Sequence, residues 1–107
     1  MSFVRQEEDG CARLTIEGPL TIYEAADLHR EFIDCFETSN GLILELDQVG
    51  DCDIAGLQLL CSAAATAQAA GKVYTVVGAS ALVKDQMSRA GLNLARVFNL
   101  KEETGNV

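Results

Sequence analysis

The feature that most constrains this chain is a strand–helix–strand pattern in its middle. "LILEL" (Leu42–Leu46) is a nearly continuous apolar run, the pattern of a central strand covered on both faces. After a short polar stretch, Ile54–Ala70 runs without one charged residue and stops at Gly71. "KVYTVV" (Lys72–Val77) follows as a second strand. Such a unit closes as a right-handed parallel crossover and commits the chain to an α/β layer.

The flanks complete the layer. Phe3–Glu8 is a strand candidate ended by the hairpin dipeptide Asp9-Gly10. Cys11–Glu17 alternates, with Ala12, Leu14 and Ile16 on one side and Arg13, Thr15 and Glu17 on the other. Gly18-Pro19 is read as its stop. Thr21 and Glu24 form a capping-box pattern for a helix to about Glu37, with an apolar stripe of Ala25, Leu28, Phe32, Cys35 and Phe36. Ser39-Asn40-Gly41 ends it. Asp47–Asp53 reads as a loop, with Asp53 as N-cap of the uncharged helix. Ser80 caps a third helix, Ala81–Ala90. Ala95–Leu100 reads as a short edge strand or a last turn, and 101–107 as a loose tail. The expected fold is a single domain over 1–107: a small mixed β-sheet with an N-terminal hairpin, a parallel β-α-β crossover and helices packed on the sheet.

Charge and cysteine usage narrow the function classes. A net charge of -8 with no Lys/Arg cluster excludes a nucleic-acid footprint and disfavours anionic membranes. Cys11, Cys35, Cys52 and Cys61 form no C-x-x-C, and His29 is the one histidine available to join a metal set. The N-terminus "MSFVRQEEDG" carries no signal-peptide pattern. The cysteines therefore read as free, small apolar residues in a reducing cytoplasm, with no metal and no cofactor expected. The uncharged span Ile54–Gly71 contains Gln58, Ser62, Thr66 and Gln68 and is rich in Ala, so it reads as a helix of a soluble protein with no direct membrane insertion.

These residues carry a family resemblance. "LILELDQVGDCDIAGLQLL" (Leu42–Leu60), "AAGKVYTVVGAS" (Ala69–Ser80) and "ALVKDQMSRAGL" (Ala81–Leu92) together resemble the STAS domain (sulphate transporter and anti-sigma factor antagonist) in its stand-alone bacterial form. The resemblance spans about Cys11 to Leu100 and centres on Asp-x-x-Gly-Leu, Asp53 to Leu57. It implies a non-enzymatic signalling module that docks on an anti-sigma factor serine kinase. In that family the residue after the Asp is a Ser or Thr, and its phosphorylation breaks the docking. The matching position here is Ile54, and the next is Ala55. "DIAGLQLL" also resembles STAS proteins of two-component systems, which points to histidine-kinase-type partners.

Ile54 and Ala55 have no nucleophilic heteroatom to accept a phosphoryl group. Ser62, the nearest hydroxyl along the helix, stands about 12 Å further on at about 1.5 Å per residue. A receiver-like acidic pocket of Asp47, Asp51 and Asp53 with Lys84, a cation site at Asp51 and Asp53, and a Cys52 nucleophile all lack the further groups their chemistry needs. Cys52 in particular has acidic neighbours that oppose thiolate formation. What remains is a surface. Leu57, Leu60, Ala64 and Ala67 share one side of the helix; Ala55, Gln58, Ser62, Thr66 and Ala69 share the other. A small, neutral outward face loses its water at little cost. The expected partner-binding residues are Asp51, Asp53, Ile54, Ala55, Gln58, Leu59 and Ser62. Two other roles stay open: a cytoplasmic STAS subunit of a membrane transport ATPase assembly, and a nucleotide- or anion-binding domain using the helix N-terminus.

Overall fold

A computed structural model describes residues 2–91. The readings placed on Ala95–Leu100 and on 101–107 lie outside the described residues. In chain order the elements are β1 (Ser2–Glu8), β2 (Cys11–Leu20), α1 (Ile22–Thr38), β3 (Gly41–Cys52), α2 (Ile54–Ala70), β4 (Val73–Ala79) and α3 (Ala81–Arg89). The sheet order is β1-β2-β3-β4. The hairpin β1–β2 is antiparallel, and β2–β3 and β3–β4 are parallel. This is the mixed α/β sheet that the patterning predicts.

Alternation along β2 and β3 sets the core. Ala12, Leu14, Ile16, Leu42, Leu44 and Leu46 are fully buried and share one cluster with Leu28 and Phe32 of α1, Leu57 and Leu60 of α2, and Val83 and Met87 of α3. All three helices therefore cover the same face of the sheet. The expectation that β3 is covered on both faces is corrected here. On its other face Ile43 and Glu45 are only half-buried, and Glu45 accepts hydrogen bonds from Arg13 and Thr15 of β2. The run looked two-sided because Ile43 is apolar, yet its neighbours across the sheet are polar.

Two further boundaries differ from the sequence reading. Gly18-Pro19 does not stop β2, and 47–52 is not loop. Gly18 pairs with Val49, Pro19 with Asp51 and Leu20 with Cys52, across two register shifts. Gly18 takes a φ of 92°, which lets the strand bulge and continue. Leu20, Val49 and Cys52 are buried anchors for this extension. The consequence for the site is direct: α2 begins at the end of a long, paired strand, with Asp53 alone between them.

The helix boundaries agree closely with the caps read from sequence. Thr21 and Glu24 form the capping box, with the Thr21 amide donating to Glu24 Oε1 at 2.9 Å. Asp53, Ser80 and Gly71 occupy the cap positions expected of them. Tyr74 Oη donates to the Leu60 carbonyl at 3.0 Å and ties α2 to β4.

Candidate functional site: the capped junction and outward face of α2

Asp53 organises the junction. Its Oδ1 accepts from the Gly56 amide at 2.9 Å, the N-cap bond of α2. Its Oδ2 accepts from the Ile22 amide at 3.0 Å, the first residue of α1. One carboxylate thus caps two helices and holds their first turns side by side. These backbone donors, that of Gly56 foremost, hold the Asp53 carboxyl below the usual range. The bond to Ile22 is invisible to a one-helix capping rule, because its donor lies 31 positions away in sequence.

Gly56 explains the spacing of Asp-x-x-Gly. A Cβ there would lie 2.2 Å from the Leu20 carbonyl oxygen, so only glycine lets the first turn of α2 sit against the end of β2. The Asp53 amide donates to the same carbonyl at 3.4 Å. The motif therefore builds a close helix–strand contact and then caps it.

The expected site residues fall into two groups. Ile54 is 62% exposed at the first turn. Gln58 and Ser62 are exposed above it, and Ala55 is half-buried beside them. Asp51 is exposed at the end of β3. Leu59 is corrected: it is only 7% exposed and belongs to the core cluster, because it faces the α1–α2 seam. It forms part of the lining of a groove of about 450 Å³ between α1 and α2, together with Ala25, His29, Ala55, Gln58 and Ser62. A second groove, of about 510 Å³, lies between α2 and the end of α3, lined by Ile54, Leu57, Gln58, Cys61, Ser62 and Ala90. Gln58 and Ser62 border both grooves and form a ridge between them.

The chemical alternatives are not assembled. Asp47 and Asp51 are exposed while Asp53 is engaged as a cap, and no set of three His, Cys, Asp or Glu among the described residues is placed to hold a metal ion. Cys11, Cys35, Cys52 and Cys61 are all free, the first three buried. Burial, then Asp53 and Asp51, push the Cys52 thiol up to about 11, far from a reactive thiolate. His29 is exposed in the α1–α2 groove. No helix among the described residues is long and apolar enough to cross a membrane.

Ile22 and Tyr23 are the site neighbours that sequence reading missed. Both are exposed, at 63% and 89%, and the Asp53 bond brings Ile22 beside the start of α2. A signal existed. At about 100° per residue Tyr23 lies about 140° around the helix from Leu28, well off the buried stripe, whereas Ile22 lies about 40° beyond Phe36, at the edge of the stripe.

Among the described residues, a mixed four-stranded sheet with three helices on one face and a capped Asp-x-x-Gly junction is the arrangement of a STAS-type domain. Residues 3–99 match the family model described as "Mlab, STAS domain", and the chain belongs to the STAS family. Solved structures share the fold. An anti-sigma factor antagonist from Mycobacterium paratuberculosis is 17% identical, with a TM-score of 0.77 over 92% of this chain and 83% of that one. A candidate anti-sigma factor antagonist from Thermotoga maritima is 18% identical, with a TM-score of 0.81 over 94% and 86%. A sulfate transporter family protein from Wolinella succinogenes is 19% identical, with a TM-score of 0.72 over 91% and 81%. No curated protein matches the sequence at a significant level.

Proposed function

We propose that the chain is a non-enzymatic protein-interaction module that docks a signalling partner through the first turn and outward face of α2. The observation that carries this is the surface chemistry of α2. Ile54 stands exposed at the first turn, the helix has no charged residue, and a groove runs along each side. Such a face is desolvated cheaply and is poorly suited to remain in water. The partner in this reading is an anti-sigma factor kinase or a histidine-kinase-type protein, and the module works in the cytoplasm. Anti-sigma factor antagonists among the fold neighbours support that class of partner. The position after Asp53 is Ile54, so the interaction is not switched by a hydroxyl at that position.

The second reading is a STAS subunit of a membrane transport ATPase assembly. It draws on the sulfate transporter family protein among the fold neighbours. Attachment would run through a protein partner at the same α2 face. An anion- or nucleotide-binding role is less well supported, because the Asp53 carboxylate already occupies the α2 N-terminus where an anion would sit.

The test is photo-crosslinking from Gln58 in the native cytosol and membranes, with Ile54→Asp run in parallel. A kinase or anti-sigma factor captured by the parent and lost by the variant supports the signalling reading. An ATPase subunit captured the same way supports the transport reading. Equal capture with Ile54→Asp overturns α2 as the docking face.

A further inference from the structure

We propose that the docking surface is a two-helix patch, Ile22, Tyr23 and Ile54 ringed by carboxylates, and that it takes a partner helix whose apolar seam is flanked by Lys or Arg. This rests on the reading of α2 as a docking face and names the chemistry that fits it.

Contiguity comes first. Five large apolar residues stand exposed among the described residues: Val4, Ile22, Tyr23, Ile54 and Val73. Three of the five belong to this junction, with Tyr23 next to Ile22 in the chain. Ile54 follows Asp53 in the chain, and the Ile22 amide lies 3.0 Å from Asp53 Oδ2. Scattered exposed apolar residues need no explanation; a set gathered by a shared carboxylate and rimmed by polar groups marks an interaction site. Tyr23, at 89% exposure, supplies the large rigid ring that serves as an anchor at interfaces.

Charge then selects the occupant. Asp51 is exposed at the end of β3 and Asp27 one turn beyond Tyr23 on α1, and the half-buried Asp53 and Glu24 belong to the N-cap of α2 and the capping box of α1. Neither residues 21–28 nor α2 contain a Lys or Arg. The first Lys or Arg along α1, Arg30, is ion-paired with Asp27 and offsets that carboxylate, leaving Asp51, Asp53 and Glu24 as the acidic groups without a Lys or Arg partner among the ion pairs of the described residues. With a net charge of -8 overall, the patch attracts a cationic rim and repels an acidic one. A second copy of this chain would oppose one acidic ring with another. An anionic lipid surface would meet the same repulsion.

The experiment uses the full chain, isotope-labelled for NMR, and two synthetic amphipathic helices with one leucine seam. One helix has the seam flanked by Lys, the other by Glu. The expected result is that the Lys-flanked helix binds, shifts the amides of Ile22, Tyr23 and Ile54, and weakens as salt is raised. Tyr23→Asp, a fully exposed change that the fold tolerates, weakens that binding about tenfold or more. Equal binding of both helices, shifts confined to other faces, or no binding of the Lys-flanked helix overturns the proposal. So does concentration-dependent dimerisation lost with Tyr23→Asp, or binding to phosphatidylcholine vesicles lost with it. The two readings fail separately. If the partner crosslinked from Gln58 is lost with Ile54→Asp but kept in full with Tyr23→Asp, the α2 face stands and the extension onto α1 falls.

Discussion

α1 and α2 are both 17 residues long and lie on the same face of the same sheet, yet they turn opposite surfaces outward. α1 shows Asp27, Arg30, Asp34 and Glu37 to solvent, and further ion pairs tie it to Arg5 of β1. α2 shows Gln58, Ser62, Ala65, Gln68 and Ala69. Their buried faces do equivalent work, so the fold does not require this difference. The outward face of α1 is built to stay hydrated over most of its length. That of α2 carries no charge at all, and Asp53 holds the first turn of α1 beside it.

The largest expected effects test the shared, buried side of that comparison. Leu28→Ala in α1 and Leu60→Ala in α2 each remove a fully buried side chain, and each lowers stability by about 3 kcal/mol in chemical denaturation. Gly56→Ala has no counterpart in α1. It drives a Cβ into the Leu20 carbonyl and costs about 2 kcal/mol, with the first turn of α2 displaced in amide spectra. A neutral Gly56→Ala would break the account of Asp-x-x-Gly.

Next come the caps. Asp53→Asn keeps one side-chain acceptor where two amides now bind, so it costs about 1 kcal/mol and frees the Ile22 amide to exchange. The sign with pH follows from the lowered Asp53 pKa. Its contribution is fully present above about pH 4, the unfolded value, and is lost as pH falls through the lower folded value. Denaturation midpoints of parent and Asp53→Asn therefore converge in acid. A gap that persists at low pH would mean the carboxylate is not the stabilising group.

The smallest stability effects fall on the outward faces. Ser62→Glu and Ala69→Lys on α2 stay within about 0.5 kcal/mol of the parent, as does Asp34→Ala on α1. The faces separate by function instead. Ser62→Glu abolishes partner capture, and a charge change at Glu37 leaves it intact. Capture that survives Ser62→Glu would erase the distinction between the helices.

Most of the fold was legible because it rests on local rules. Alternation in 11–17, the capping box at Thr21, the Asp53 cap and the Gly71 stop each depend on a few neighbouring residues. The missed features all depend on distant partners. Gly18-Pro19 and Asp47–Cys52 look like loops alone and become strand by pairing with each other. Leu59, expected among the partner-binding residues, is buried at the seam with α1. The expected partner-binding set was drawn from one helix start, so Ile22 and its neighbour Tyr23, held beside that start by the Asp53 bond, were not part of it.

The sequence by itself determined the element order, the helix caps, the core stripe of α1, part of that of α2 and the absence of a hydroxyl at Ile54 and Ala55. The tertiary structure alone decided that one carboxylate caps two helices, that two grooves flank the Gln58–Ser62 ridge, and that the exposed Ile22 lies beside the start of α2. The physical reason is range. Caps and periodicity act within a turn or two of chain, whereas surface contiguity is set by which backbones the packed core brings together.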